Sequence, residues 1–159
     1  MYLNKKNLFL VISILLIFFF LTYKDVKSSE LKIIDGDTIH LNDEKIRFSG
    51  IDTPEIKQTC IKNNEIIKWG IKAKELLIKA IGNKKINCVR EGKDQYKRTL
   101  AECFINDLSL SSYLVKSGYA FAYRKYSTKF IVDEDFARSN NLGMWSMKFE
   151  YPWDWRKKN

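Results

Sequence analysis

Three features of the chain predict an α+β, mainly β fold, a five-stranded barrel of the OB type with about three helices packed around it. Short β-branched or alternating runs broken by Asp and Asn turns come first, a stretch of helical period follows, and two further strand-like runs come after it. Three meander strands, a helix and then a hairpin is the order in which such a small barrel is built.

The meander consists of Leu31 to Ile34, Thr38 to Asn42 and Lys45 to Ile51, separated by Asp35-Gly36-Asp37 and Asn42-Asp43-Glu44. From Asn64 to Ile81 the period changes: Ile66, Ile67, Gly70, Ala73, Leu76, Leu77 and Ala80 recur at helical spacing, with lysines between them. Gly82-Asn83 ends this amphipathic helix. Lys85 to Arg90 and Arg98 to Ile105 then form a hairpin with a long polar tip. Ser109 is placed to cap a short helix ending at Gly118, and a last helix is expected around Val132 to Asn141.

The first 28 residues stand apart. Lys5 and Lys6 precede an apolar run from Leu8 to Leu21, interrupted only by Ser13, which is the pattern of a secretory signal. The run is short against the roughly 20 residues that a membrane-spanning helix needs. No clean Ala-x-Ala is present, and Val26-Lys27-Ser28 is the best small-residue site, so an uncleaved N-terminal membrane anchor is the alternative. The expected organisation is therefore a leader or anchor over 1–28 and a single domain over 29–159. The product is secreted or periplasmic, or held at a membrane through residues 8–21.

The chain of 159 residues carries 28 Lys+Arg against 19 Asp+Glu, a net charge of +9. Four lysines and one aspartate lie before residue 29, so the domain itself keeps 24 basic and 18 acidic side chains, about +6. That surplus favours anionic partners such as nucleic acid or a membrane surface. The three cysteines, Cys60, Cys88 and Cys103, allow at most one internal bridge. Cys88 and Cys103 lie on the two hairpin strands and either pair across them or sit as small apolar residues. Cys60, in the polar loop after Glu55, is the expected free thiol or an alternative partner. The cysteine spacing matches no zinc pattern, and with His40 as the one histidine a structural zinc knot is not expected.

The densest polar cluster is at the ends of the first three strands: Asp35-Gly36-Asp37-Thr38, then Arg47, then Asp52-Thr53-Pro54-Glu55. Aspartates from neighbouring strands supply the hard oxygen ligands that a cation such as Ca²⁺ takes, leaving positions for water and phosphate. Each motif alone is a common turn or loop. Together, the run IIDGDTIHLNDEKIRFSGIDTPE, the later DQYKR and the GMW near the end resemble the staphylococcal nuclease (thermonuclease) family, from about Leu31 to Trp145. The resemblance implies an OB-fold, Ca²⁺-dependent phosphodiesterase acting on DNA and RNA.

Carried across residue by residue, the resemblance implies that Asp37 and Asp52 are calcium carboxylates and that Thr53 offers its backbone carbonyl. It makes Glu55 the general base, and Arg47 and Arg98 the pair that grips the scissile phosphate. Tyr96 and Tyr123 resemble the tyrosines of the nucleotide pocket, Tyr123 after a one-residue shift. Two departures stand out: Lys97 occupies a place where the family usually has Gly, and the tail Phe149 to Arg156 extends past the best-known members. The two tail tryptophans serve either as a stacking platform or as packing on the barrel exterior.

The chemistry is consistent with these roles. Guanidinium groups give paired, charge-assisted bonds to phosphate oxygens, and a nucleophilic route lacks parts, since no base neighbours the thiols and His40 reads as a surface residue. Attack by metal-positioned water remains. The function expected is a Ca²⁺-dependent endonuclease of low sequence specificity, monomeric and without a protein partner. The alternatives are a catalytically inactive OB-fold nucleic-acid-binding module and a membrane-anchored basic adaptor.

Overall fold

The computed structural model describes residues 12–13 and 30–159. The leader or anchor expected over 1–28 lies outside the described residues apart from Ile12 and Ser13. Among the described residues no helix is long and apolar enough to cross a membrane.

The meander forms as its alternation requires: β1 (Leu31–Ile33), β2 (Thr38–Leu41) and β3 (Glu44–Phe48) pair antiparallel in order. Asp35 closes the first turn, its Oδ1 accepting from the Asp37 backbone N–H at 3.0 Å. Asn42 closes the second at φ 56°, a left-handed conformation that Asn tolerates better than most residues. β4 (Ile51–Asp52) continues the chain beyond β3.

A hairpin intervenes before the helix, where the sequence predicted helix from Asn64. β5 (Cys60–Lys62) and β6 (Glu65–Ile67) pair antiparallel around Asn63-Asn64, both at positive φ (50° and 65°), the geometry of a two-residue hairpin turn. The helix α1 therefore begins later, at Trp69–Ile81, and buries Ala73, Leu77 and Ile81 against the sheet.

β7 (Asn87–Lys93) and β8 (Thr99–Ile105) form the later hairpin, shifted in register between Arg90 and Gly92. Cys88 and Cys103 face each other across it and are disulfide-bonded. Closing a loop of this length removes about 3 kcal/mol of freedom from the unfolded chain. β8 pairs in parallel with β3, and β9 (Leu108–Ser109) adds to its other end. The order β1-β2-β3-β8-β7 is OB-like, but β1 and β7 remain edges, so the sheet is not a hydrogen-bonded closed barrel among the described residues.

The remaining helices of the domain are α2 (Leu110–Lys116), α3 (Ile131–Ser139) and α4 (Pro152–Lys158), so among described residues 30–159 four α-helices accompany the sheet where about three were expected. Ser109 caps α2 as its sequence predicts, accepting from the Ser112 N–H at 3.2 Å. β10 (Phe121–Ala122) pairs with β4 and so places the chain after α2 directly against Asp52.

Two apolar clusters result. Ile39, Ile46, Phe48 and Ile51 meet Leu77, Ala101, Leu110 and Leu114 in the main core. A second, aromatic cluster surrounds Phe121 and draws in Cys60, Trp69, Met144, Tyr151 and Trp153. The tail thus packs on the outside of the sheet, as one of its two readings expects, and Cys60 sits buried on β5 instead of in a polar loop.

Candidate active site

Asp37, Arg47 and Asp52 come together at one end of the meander because adjacent strands carry them. Thr38 pairs with Arg47 across β2 and β3, which sets Asp37 beside that arginine, and β4 brings Asp52 back to it. Arg47 Nη1 donates to Asp37 Oδ1 at 2.6 Å and Nη2 donates to Asp52 Oδ1 at 2.8 Å. One guanidinium therefore spans both aspartates. Asp37 also accepts from Thr38 Oγ1 at 3.1 Å and from the Thr53 N–H at 2.9 Å.

These carboxylates are deeply placed, Asp37 at 2% and Asp52 at 0% exposure. Burial pushes the Asp52 carboxyl above the usual carboxylate range, and the Asp37 charge adds to this against the pull of Arg156 and Arg47. Asp35 is raised to about 6, by burial first and then by Asp37. Burial opposes the charge on Arg47, but Asp37 and Asp52 outweigh it and hold its pKa above the ordinary value.

Glu55 lies on the loop after β4 with its side chain partly open to solvent. Its backbone N–H donates to the Gln58 side-chain oxygen at 3.2 Å, and Gln58 Nε2 donates to the Glu150 carbonyl at 2.7 Å. Gln58 is fully buried, so it ties the Glu55 loop to the segment leading into α4. Helix α1 presses on the same loop through Gly70. A Cβ there would stand 1.8 Å from the Glu55 carbonyl oxygen, a space only Gly leaves free.

Arg98 stands at the base of the β7–β8 tip. Its Nε donates to Asp94 Oδ2 at 2.7 Å, while Asp94 Oδ1 accepts from the N–H groups of Tyr96 and Arg98, each at 2.9 Å. The parallel ladder that pairs Leu100 with Arg47 keeps Arg98 within two residues of that arginine along the shared register. Lys97 adopts φ 61°, the conformation a Gly would take without cost, and the turn before Arg98 forms nonetheless.

Among the described residues neither tyrosine side chain hydrogen-bonds to Asp37, Asp52 or Glu55. Tyr96 is 71% exposed at the tip, with the Arg98 guanidinium 5.4 Å from its ring centre. Tyr123 is half-buried and lies parallel to Trp153, ring centres 5.7 Å apart, and Trp153 stacks in turn on Tyr151. A tail tryptophan thus covers one face of Tyr123.

The sequence reading missed one functional group altogether. Arg156, on α4, donates from Nη2 to Asp52 Oδ2 at 2.6 Å, and from Nη1 to Asp52 Oδ1 at 3.2 Å and Glu55 Oε1 at 2.9 Å. Burial works against its charge, but Asp52 and Glu55 more than compensate, so its pKa is raised further. The usable signal in the sequence was Pro152 followed by Arg156-Lys157-Lys158, the first-turn proline and basic last turn of a helix.

The donor set suits a hard cation. Asp37 and Asp52 offer only oxygen, Thr53 lies between them and Glu55 to offer a carbonyl, and two crowded carboxylates in a buried site gain from a dication. No three His, Cys, Asp or Glu side chains converge as a complete cage among the described residues. The residues fit half a calcium shell, the rest being left to carbonyl, water and phosphate oxygens.

Comparison with known proteins agrees with this geometry. Residues 45–147 match the staphylococcal nuclease homologue family. The chain belongs to that family. It is 30% identical to an uncharacterized endonuclease of Haemophilus influenzae over 98% of this chain and 87% of that protein. It is 33% identical to an uncharacterized protein of Methanocaldococcus jannaschii over 79% of this chain and 74% of that protein. A thermonuclease of Staphylococcus intermedius is 36% identical over 57% of this chain and 56% of its own. The family match begins within β3 and ends before α4, so Arg156 lies beyond it.

Proposed function

We propose that this member of the staphylococcal nuclease family is a Ca²⁺-dependent endonuclease that hydrolyses phosphodiester bonds of DNA and RNA with little sequence preference. The observation that carries the proposal is the pair of buried aspartates, Asp37 just before β2 and Asp52 on β4, that share the Arg47 guanidinium, with Glu55 joined to Asp52 through Arg156. The endonuclease and thermonuclease names of its relatives support the reading.

Asp37, Asp52 and the Thr53 carbonyl would hold the calcium ion, which supplies charge stabilisation and an activated water when bound. Glu55 takes the proton of the attacking water as its oxygen bonds to phosphorus, while the leaving sugar oxygen departs with the electron pair of its broken P–O bond and takes a proton from solvent. Arg47 and Arg98 receive the charge that accumulates on the phosphoryl oxygens, which a guanidinium matches with two parallel N–H donors. Tyr96, exposed beside Arg98, offers a face on which any base stacks. The proposal sets this chemistry outside the cytoplasm, on the strength of the apolar run Leu8 to Leu21 and of the Cys88–Cys103 bridge, a bond that persists under oxidising conditions.

The test is cleavage of plasmid DNA and of RNA by the full chain, with Ca²⁺ or with chelator, alongside Glu55→Gln and Arg98→Ala. Chelator should abolish cleavage, and each substitution should lower the rate by roughly 10²-fold to 10³-fold. Nucleic acid bound but left uncut at millimolar Ca²⁺ would establish the inactive binding module instead.

A further inference from the structure

Asp52 accepts hydrogen bonds from two guanidinium groups. Its Oδ1 accepts from Arg47 and Arg156, and its Oδ2 accepts from Arg156 at 2.6 Å. The second guanidinium also bridges to Glu55, so it links the proposed metal ligand to the proposed base. The Arg156 side chain keeps 36% exposure, but the backbone that carries it is anchored beside the site. Pro152 starts its helix, Trp153 is sandwiched between Tyr123 and Tyr151, and Gln58 ties the preceding Glu150 to the Glu55 loop.

A cation on Asp52 Oδ2 and a guanidinium that donates to the same atom compete, because they draw on the same carboxylate charge and repel one another. We infer that Arg156 is an internal cation of the carboxylate site: it holds Asp52 in the metal-free protein, must release it when a divalent ion binds, and thereby sets the affinity of the site for that ion. The inference rests on the reading of Asp37 and Asp52 as metal ligands. Binding of the ion and docking of Arg156 on Asp52 are then linked equilibria, each weakening the other by the same factor.

The experiment titrates Ca²⁺ alone, without nucleic acid, into the full chain, Arg156→Gln, Arg156→Lys and Asp37→Asn, by calorimetry. Arg156→Gln should bind Ca²⁺ at least about tenfold more tightly, within the usual range of coupling between sites, with Arg156→Lys between it and the unsubstituted chain. Ca²⁺ should also raise the unfolding temperature of Arg156→Gln by more than that of the unsubstituted chain, whereas a merely structural arginine would leave the two increments equal. In the unsubstituted chain, the Arg156 guanidinium signals, identified by their loss in Arg156→Lys, should change from restricted to free rotation on adding Ca²⁺. Unchanged or weaker Ca²⁺ affinity in Arg156→Gln, with binding abolished in Asp37→Asn, overturns the inference and leaves the metal reading standing. Restricted rotation that persists in saturating Ca²⁺ overturns it as well. Absence of Ca²⁺ binding in every chain overturns the metal reading and this inference with it.

Discussion

Gly70→Ala tests whether helix α1 sets the position of Glu55. The added Cβ would lie 1.8 Å from the Glu55 carbonyl oxygen, 2.4 Å from its carbon and 2.8 Å from Ile56 Cα. Ordinary contact begins at 3.4 Å, so either the Glu55–Ile56 backbone or the first turn of α1 must move by about 1.6 Å. Helix propensity favours Ala over Gly by about 1 kcal/mol. Overpacking of a tight contact costs about 1–3 kcal/mol and so exceeds that gain. The stability loss should therefore be modest, no more than about 2 kcal/mol. Activity should suffer more, because a displacement near 1 Å in a catalytic group can cost about 10²-fold. The assay pairs kcat/KM on a fluorescent oligonucleotide with urea unfolding of the same preparation. A variant of unchanged stability and undiminished kcat/KM would refute the claim that this helix positions Glu55, the proposed base.

Two further outcomes follow from the backbone and the thiols. Lys97→Gly should keep or slightly raise stability, since Gly relieves a left-handed conformation that costs an L-residue about 1–2 kcal/mol, while leaving cleavage within about twofold; a large loss of activity would show that the Lys97 side chain itself contributes. Burial pushes the Cys60 thiol up to about 11, so in the native state it should resist a thiol reagent at pH 8 and react fully once urea unfolds the chain; fast labelling of the native protein would contradict the burial.

What the sequence made legible depended on how local each determinant was. Alternation of Thr38, Ile39, His40 and Leu41 against Glu44 to Phe48 was enough to bring Asp37 beside Arg47, because a two-residue turn leaves little choice of register. The β5–β6 hairpin was hidden because Ile66 and Ile67 fit the helical spacing that begins at Trp69. Asn63-Asn64 was the contrary signal, a pair that tolerates positive φ at both turn positions. That hairpin also explains Cys60: pairing with Ile67 turns it toward Trp69 and Phe121 and away from solvent. Arg156 was the least legible residue, since it meets Asp52 across 104 positions and nothing in local pattern specifies so distant a contact.

The distribution of buried acids explains why one cluster reads as a site and others do not. Glu102 and Glu134 are nearly as inaccessible as Asp37, each at 5% exposure against 2%. Each is satisfied separately: Glu102 accepts from Ser109 Oγ and Lys129, and Glu134 accepts from the Ala122 N–H and from Arg124 at 2.6 Å. A lone carboxylate with a neutral donor on one oxygen and a cation on the other is fully compensated, and that arrangement fastens β8 and α3 to their neighbours. Asp37 and Asp52 differ in sharing one arginine, so two buried carboxylates are held close together around Arg47. Burial first, and the neighbouring Asp37 charge in addition, disfavours ionisation, as the raised Asp35 and Asp52 carboxyls reflect. The chain meets this cost by delivering Arg156 from its far end, which a site built only for stability would have avoided by placing an apolar residue at position 52.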